Sequence, residues 1–244
     1  MKNEILCEAF LALYQLVVRL RAPGGCPWDA KQTRETLAGY LLEEAYEVVE
    51  AVEQGDPQAI CDELGDLLFQ IVFLAYLAEE KKEFDLPQVI QRIQAKMIRR
   101  HPHVFGPVKV ENAAEVVDHW ARIKKDEKGN AAPLTATLND IPKNLPALLA
   151  SQQILKRTRE ARSHDNESGD LLGTLEDGIL QLRNIQTQTP DQMGLKIGEL
   201  LFNLTQMALQ KGQSAEHLLR AQNQRITAKI QEQETENNPS SSLK

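Results

Sequence analysis

The feature that most narrows what this chain can become is the spacing of its apolar residues, which repeats at the helical period along most of its length and is cut by proline and glycine. Between residues 57 and 82, Leu64, Leu67, Leu68, Ile71, Val72 and Ala75 share one face of a 3.6-residue repeat. The same pattern predicts helices over about 3–21, from Thr33 to Gln54, over 86–100 and over 111–127. Ala22-Pro23-Gly24-Gly25 stops the first, and Gly55-Asp56-Pro57 separates the second from the third. His101-Pro102-His103 ends the fourth, because a residue before proline is biased away from the helical region. Thr33 is placed to cap the second helix. Gly129–Pro146 reads as a linker, and weaker helices follow it with a polar break at Ser163–Gly169. Aromatic residues make up only 5% of the chain, whereas Leu, Ala, Glu and Gln recur, so the expected fold is all-α.

A shift of 133 residues lays Gly65-Asp66-Leu67-Leu68-Phe69 on Gly198-Glu199-Leu200-Leu201-Phe202 without a gap. It also sets Glu43 and Glu44 on Glu176 and Asp177, but Glu47 on Leu180 and Glu63 on Lys196. The chain therefore reads as two copies of one helical unit, the second stripped of acidic positions. The expected organisation is a first unit over 1–128, a linker over 129–146, a degenerate second unit over 147–232 and a disordered tail over 233–244.

Charge and cysteine content remove several classes of function. A net charge of −7 argues against nucleic-acid binding through a broad basic face. It leaves a polyanionic substrate open, because a bound metal inverts local charge. Cys7, Cys26 and Cys61 form no CxxC pair, so neither a zinc cage nor a disulfide framework is indicated, and reduced thiols in a cytoplasm are expected. The apolar N-terminal run carries Glu4, Glu8 and Gln15, which suits an amphipathic helix rather than a leader peptide. No stretch approaches a membrane span, so no membrane partner is expected.

The chemistry concentrates in carboxylates. The segment Leu41–Val52 carries Glu43, Glu44, Glu47 and Glu50, and helical geometry lets Glu44 and Glu47 aim at one locus. Glu63 and Asp66 stand three apart on the next helix. Antiparallel packing through the short Gly-Asp-Pro turn would bring four carboxylates across one groove. Such a cluster repels itself unless a cation neutralises it, and oxygen-only donors suit magnesium or manganese. Solvated carboxylates are also routine on helix surfaces, and Glu50 and Glu53 fit that description. Asp66 is harder to dismiss, since it follows Gly65 inside an otherwise apolar helix.

Cations are needed for phosphate charge that a metal leaves uncovered. Lys96 and Arg100 are four apart and share a helix face, either as phosphate contacts or as cations favoured by the helix C-terminus. His101 is a cap or a core hydrogen-bonder. Trp28 and Trp120 are base-stacking candidates or core residues, and Lys31 and Lys124 are further phosphate candidates.

Taken in order, Gly25–Thr33 (GCPWDAKQT), Leu41–Val52 (LLEEAYEVVEAV), Asp62–Phe73 (DELGDLLFQIVF) and Lys96–Gly106 (KMIRRHPHVFG) resemble the MazG nucleoside triphosphate pyrophosphohydrolases. Asp140–Leu148 (DIPKNLPAL) resembles the segment that joins the halves of full-length members. The resemblance implies a helical-bundle MazG-like fold, an intertwined homodimer, and metal-dependent hydrolysis of the α–β phosphoanhydride. The family's EExxE…ExxD signature falls on Glu43, Glu44, Glu47, Glu63 and Asp66. It implies Glu44, Glu47, Glu63 and Asp66 as magnesium ligands, with manganese able to substitute, and Glu43 in support. The family's basic helix falls on Lys96 and Arg100, and its tryptophan and lysine fall on Trp120 and Lys124. The second copy departs from the signature at Leu180 and Lys196, so it is expected to serve packing or dimerisation.

The expected reaction is attack of water on the α-phosphorus of a nucleoside triphosphate, with Glu44 or Glu47 open as the proton acceptor. No Walker-type glycine-rich loop is present, which disfavours a P-loop mechanism. No base-reading motif is present either, so loose base discrimination is expected. Two other readings remain: a catalytically weak nucleotide-binding regulator, and a purely structural helical dimer. Binding of magnesium or nucleotide would raise the melting temperature of the first and not of the second.

Overall fold

Helices carry the whole architecture of the computed structural model, which describes residues 2–127, 133–161, 170–185 and 190–237; no strand occurs among them. The chain divides into two compact units, Met1–Trp120 and Ala121–Lys244. Among the described residues no helix is long and apolar enough to cross a membrane.

The first unit is built from α1 (Lys2–Arg21), a 3-10 turn at Asp29–Lys31, α2 (Arg34–Gln54), α3 (Pro57–Glu80), α4 (Leu86–Arg100) and α5 (Pro102–Phe105). Helix α6 (Ala113–Glu127) starts in this unit and runs past the division. The single turn α5 was not predicted; Pro102 stops α4 and, lacking an N–H, opens the next turn at once.

Local chemistry fixes the α2–α3 hairpin. Thr33 caps α2, its hydroxyl accepting from the Thr36 backbone N–H while the Thr36 hydroxyl accepts from that of Thr33 at 2.9 Å. Gly55 closes α2 at φ +75°, a left-handed conformation that glycine adopts without penalty, and its N–H donates to the Ala51 carbonyl at 3.0 Å. Asp56 then caps α3 by accepting from Gln58 N–H at 2.9 Å, with Pro57 at the first helical position. Two residues thus suffice to reverse the chain, which holds α2 and α3 side by side. Asp85 and Gln88 form a similar reciprocal cap on α4.

The core sits at the C-terminal end of α3. Val72, Phe73, Ala75 and Leu77 pack with Val17 of α1, Leu37 of α2 and Leu86 of α4, and Phe73 is 1% exposed. Helix α1 packs on α3 as well. The other end of the hairpin is different: Leu42, Tyr46 and Val52 of α2 and Leu64 and Leu68 of α3 are exposed there.

Arg21 ties the segment between α1 and α2 to this core. Its guanidinium donates to the Asp29 carbonyl at 2.6 Å and to the Gln32 carbonyl at 3.3 Å, and it forms a two-pronged pair with Glu80 at 2.9 and 2.8 Å. The same group lies 5.7 Å from the centre of the Phe73 ring. The segment Gly25–Thr33 is therefore braced from inside, while Trp28 and Lys31 remain exposed on it.

The second unit contains α7 (Leu134–Asn139), α8 (Ala147–Ala161), α9 (Leu171–Ile185), α10 (Pro190–Gln210) and α11 (Ala215–Asn237). Helices α9 and α10 pack as a pair, and α8 and α11 both pack on α10. This repeats the pairing of α2 with α3 and of α1 and α4 with α3. Both α3 and α10 begin at a proline, Pro57 and Pro190, in the register of the sequence repeat. Gly178 of α9 permits this packing, since a Cβ there would lie 2.7 Å from Leu200 Cδ2. Two details differ from expectation: α7 lies inside the segment read as a linker, and α11 continues helically to Asn237, with 238–244 outside the described residues. Ser163–Gly169, read as a polar break, also lies outside them.

Candidate functional site

Glu44 projects from α2 and Glu63 and Asp66 from α3, and one carboxylate oxygen of each lies within 4.8 Å of the others. The hairpin packing described above produces this meeting: residues three apart on α3 share a face, and the two-residue turn sets that face against α2.

The electrostatics register the crowding. Burial pushes the Glu44 carboxyl above its ordinary range, and the negative charges of Asp66 and Glu47 push it further. A hydrogen bond from Gln70 acts in the opposite direction, while one shared with Glu47 favours a proton on Glu44. Burial also raises Glu63, helped by the charges of Glu47, Asp66, Asp62 and Glu50. Glu47 itself is exposed and lies outside the 4.8 Å group, although its charge reaches both Glu44 and Glu63. Glu43 is exposed and outside that group too. The site is thus a set of hard oxygen donors in excess negative charge, which suits a divalent cation of the magnesium class.

Gln70, which the sequence reading did not single out, borders the set. It is 8% exposed, and its side-chain N–H donates to Glu44 Oε1 at 3.4 Å. Its carbonyl oxygen is buried without a hydrogen-bond partner. The available signal was its place one turn beyond Asp66 as the lone polar residue in an apolar run.

The cationic and aromatic candidates fall into separate places. Arg100 is half-buried, with its guanidinium 5.7 Å from the centre of the Trp120 ring. His101 takes the capping role: it ends α4, and its Nδ1 lies 2.7 Å from the Met97 carbonyl oxygen. His103 packs its ring 5.6 Å from that of His101. Lys96 is exposed on α4, and Trp28 and Lys31 are exposed around the 3-10 turn. Among the described residues, no hydrogen bond or ion pair joins Lys96, Trp28 or Lys31 to the carboxylates. Lys124 belongs by sequence to the second unit.

The repeat of this site in the second unit is neutralised from within. Lys196, at the position of Glu63, places its ammonium 2.7 Å from Glu199, at the position of Asp66. Leu180 stands where Glu47 stands in the first copy.

Comparison with known proteins bears on the family of the chain. Residues 32–105 match the MazG nucleotide pyrophosphohydrolase domain. A nucleoside triphosphate pyrophosphohydrolase of Escherichia coli K12 is 38% identical over 226 residues, which cover 91% of this chain and 86% of that protein. The nucleoside triphosphate pyrophosphohydrolase/pyrophosphatase MazG of Thermotoga maritima is 32% identical over 199 residues, 82% of this chain and 75% of that protein. The crystal structure of a MazG-related protein from Thermotoga maritima aligns with 47% of this chain and 97% of its own, at 32% identity and a TM-score of 0.41. With all five carboxylates of the motif inside the matched segment and similarity running through both units, the chain belongs to the MazG nucleotide pyrophosphohydrolase family.

Proposed function

We infer that this chain hydrolyses nucleoside triphosphates to the monophosphate and pyrophosphate, and that it does so at the α2–α3 carboxylates of the first unit. The observation that carries this reading is the convergence of Glu44, Glu63 and Asp66 oxygens within 4.8 Å, in a chain of this family. Raised carboxyls at Glu44 and Glu63, and a buried carbonyl oxygen on Gln70 with no hydrogen-bond partner, fit a site suited to a cation. Magnesium, or manganese in its place, is the cation these donors suit, with Glu44, Glu47, Glu63 and Asp66 holding it. When bound it supplies charge for the triphosphate and lowers the pKa of water.

The protein's own groups then divide the work. Glu44 and Glu47 lie one turn apart on α2, each a carboxylate able to accept a proton from the reacting water, and Glu47 is exposed to solvent. Glu43 stands beside them on α2 in a supporting role. Arg100, beside the Trp120 ring, and Lys96 supply cations to the phosphates, and Trp28 and Lys31 are further candidates for substrate contact. Base selectivity is loose. The Lys196–Glu199 pair leaves the second unit a packing role.

The active form is a homodimer. Support comes from the apolar side chains left exposed on the carboxylate hairpin, since Leu42 is 56%, Val52 57% and Leu64 49% exposed. Large apolar side chains exposed together on one hairpin are what a protein interface covers. The cellular setting is the cytoplasm.

The test is incubation with each triphosphate and magnesium, with products separated by ion exchange. Monophosphate and pyrophosphate, lost in Asp66→Ala and kept in Lys196→Ala, are expected. Diphosphate and phosphate would mean another hydrolase chemistry. No product, with nucleotide still raising the melting temperature, would leave a binding protein.

A further inference from the structure

We propose that Gln70 is a positioning residue for the carboxylate site, its buried side-chain amide holding Glu44 in the direction from which that carboxylate meets Glu63 and Asp66. The proposal rests on the reading of these carboxylates as a cation site. Three observations converge on it. Gln70 lies one turn beyond Asp66 on α3, and hence on the face that looks across to α2. Its N–H reaches Glu44 Oε1 at 3.4 Å from a side chain that is 8% exposed, while Glu44 itself is half-buried. Its carbonyl oxygen is buried and makes no hydrogen bond.

A buried amide with only one of its two ends satisfied is a poor structural choice, because an apolar side chain of the same length would fill the space without an orphaned oxygen. The arrangement makes sense if the amide serves Glu44. Turning the amide over would set its carbonyl oxygen against a carboxylate, so the N–H end is held toward Glu44 by charge. Glu44 is the only member of the 4.8 Å group supplied by α2. Its direction decides whether the donors of α2 and α3 meet at one point, and among the described contacts Gln70 is the residue of α3 that reaches it by a hydrogen bond.

The experiment uses the full chain and magnesium alone, followed by calorimetric titration without nucleotide. Methionine matches glutamine in length and suits a helix interior, so Gln70→Met keeps the packing and removes the donor. Magnesium affinity is expected to fall about tenfold in Gln70→Met, and the KM for nucleotide at saturating magnesium is expected to stay within twofold of wild type. In a Glu44→Gln background, adding Gln70→Met is expected to change magnesium affinity no further. Equal magnesium affinity in wild type and Gln70→Met would overturn the positioning role while leaving the cation site intact. Absence of magnesium binding by the wild type would overturn both. A measurement on the wild type covers the case of a misfolded variant: the Gln70 side-chain amide resonances should shift on magnesium addition, and unmoved resonances would overturn the proposal.

Discussion

Replacing Glu44 by glutamine removes one charge from the carboxylate group while keeping the side chain's length and its contact with Gln70. Two unit charges 4.8 Å apart repel by about 1 kcal/mol in water and about 3 kcal/mol at an effective dielectric constant of ~20. Asp66 is exposed, so solvent screens the Glu44–Asp66 pair and the lower figure applies. In EDTA at pH 8 the variant should therefore be more stable than wild type by about 1 kcal/mol, which raises the melting temperature by roughly 4 °C for a unit of this size. Magnesium reverses the order. At a hundredfold excess over its dissociation constant it stabilises wild type by about 2.7 kcal/mol, and it should scarcely move the variant. Differential scanning fluorimetry in EDTA and in magnesium reads both arms. A variant less stable than wild type in EDTA would mean that Glu44 is held by structural bonds, and the argument from repulsion would fail. Equal magnesium shifts in both proteins would refute the site.

Other consequences follow from the same contacts. Glu44 and Glu63 hold protons more tightly folded than unfolded, so the folded chain binds more protons between the ordinary carboxylate value and the raised one, and stability grows as pH falls through that window. In EDTA, the melting-temperature gap between wild type and a Glu44→Gln, Glu63→Gln variant should narrow from pH 7.5 to 5; a widening gap would contradict the assignment. Tyr14 donates to Glu79 at 2.7 Å, and burial with that bond pushes its hydroxyl up to about 12. Its stabilisation is present below the unfolded value near 10 and lost as pH climbs to about 12, so Tyr14→Phe should cost about 1–2 kcal/mol in urea denaturation at pH 7 and much less at pH 12. Arg21→Lys keeps the charge but not the fork that grips Glu80 and two carbonyls, and limited proteolysis should cut the 23–32 segment faster than in wild type. Gly55→Ala meets nothing within 4 Å, so its cost is backbone strain at φ +75°, about 1 kcal/mol by denaturant titration.

What the sequence disclosed and what it hid follow from how local each feature is. Helix α3 was legible because an apolar face, Gly55, Asp56 and Pro57 all mark it within a few residues. The meeting of Glu44 with Glu63 and Asp66 was legible because two periodic helices and a two-residue turn leave little freedom. The separation of Glu47 from Glu44 was not, since it depends on the rotation of α2 about its axis, which is set by contacts such as buried Ala51. Arg21 escaped notice because its partners lie 8, 11 and 59 residues away, distances no local pattern encodes. The six residues of α7 are too few to show a period. The end of α11 is polar on every side, and polarity was read as disorder where helix propensity prevails.

Attack of water on the α-phosphorus at the α2–α3 carboxylates, the reaction proposed above, is read out by hydrolysis in ¹⁸O-labelled water followed by ³¹P NMR. Label is expected in the nucleoside monophosphate alone, with turnover abolished in Asp66→Ala and retained in Glu199→Ala. Label in pyrophosphate or orthophosphate, or turnover that survives Asp66→Ala and is lost with Glu199, would contradict it.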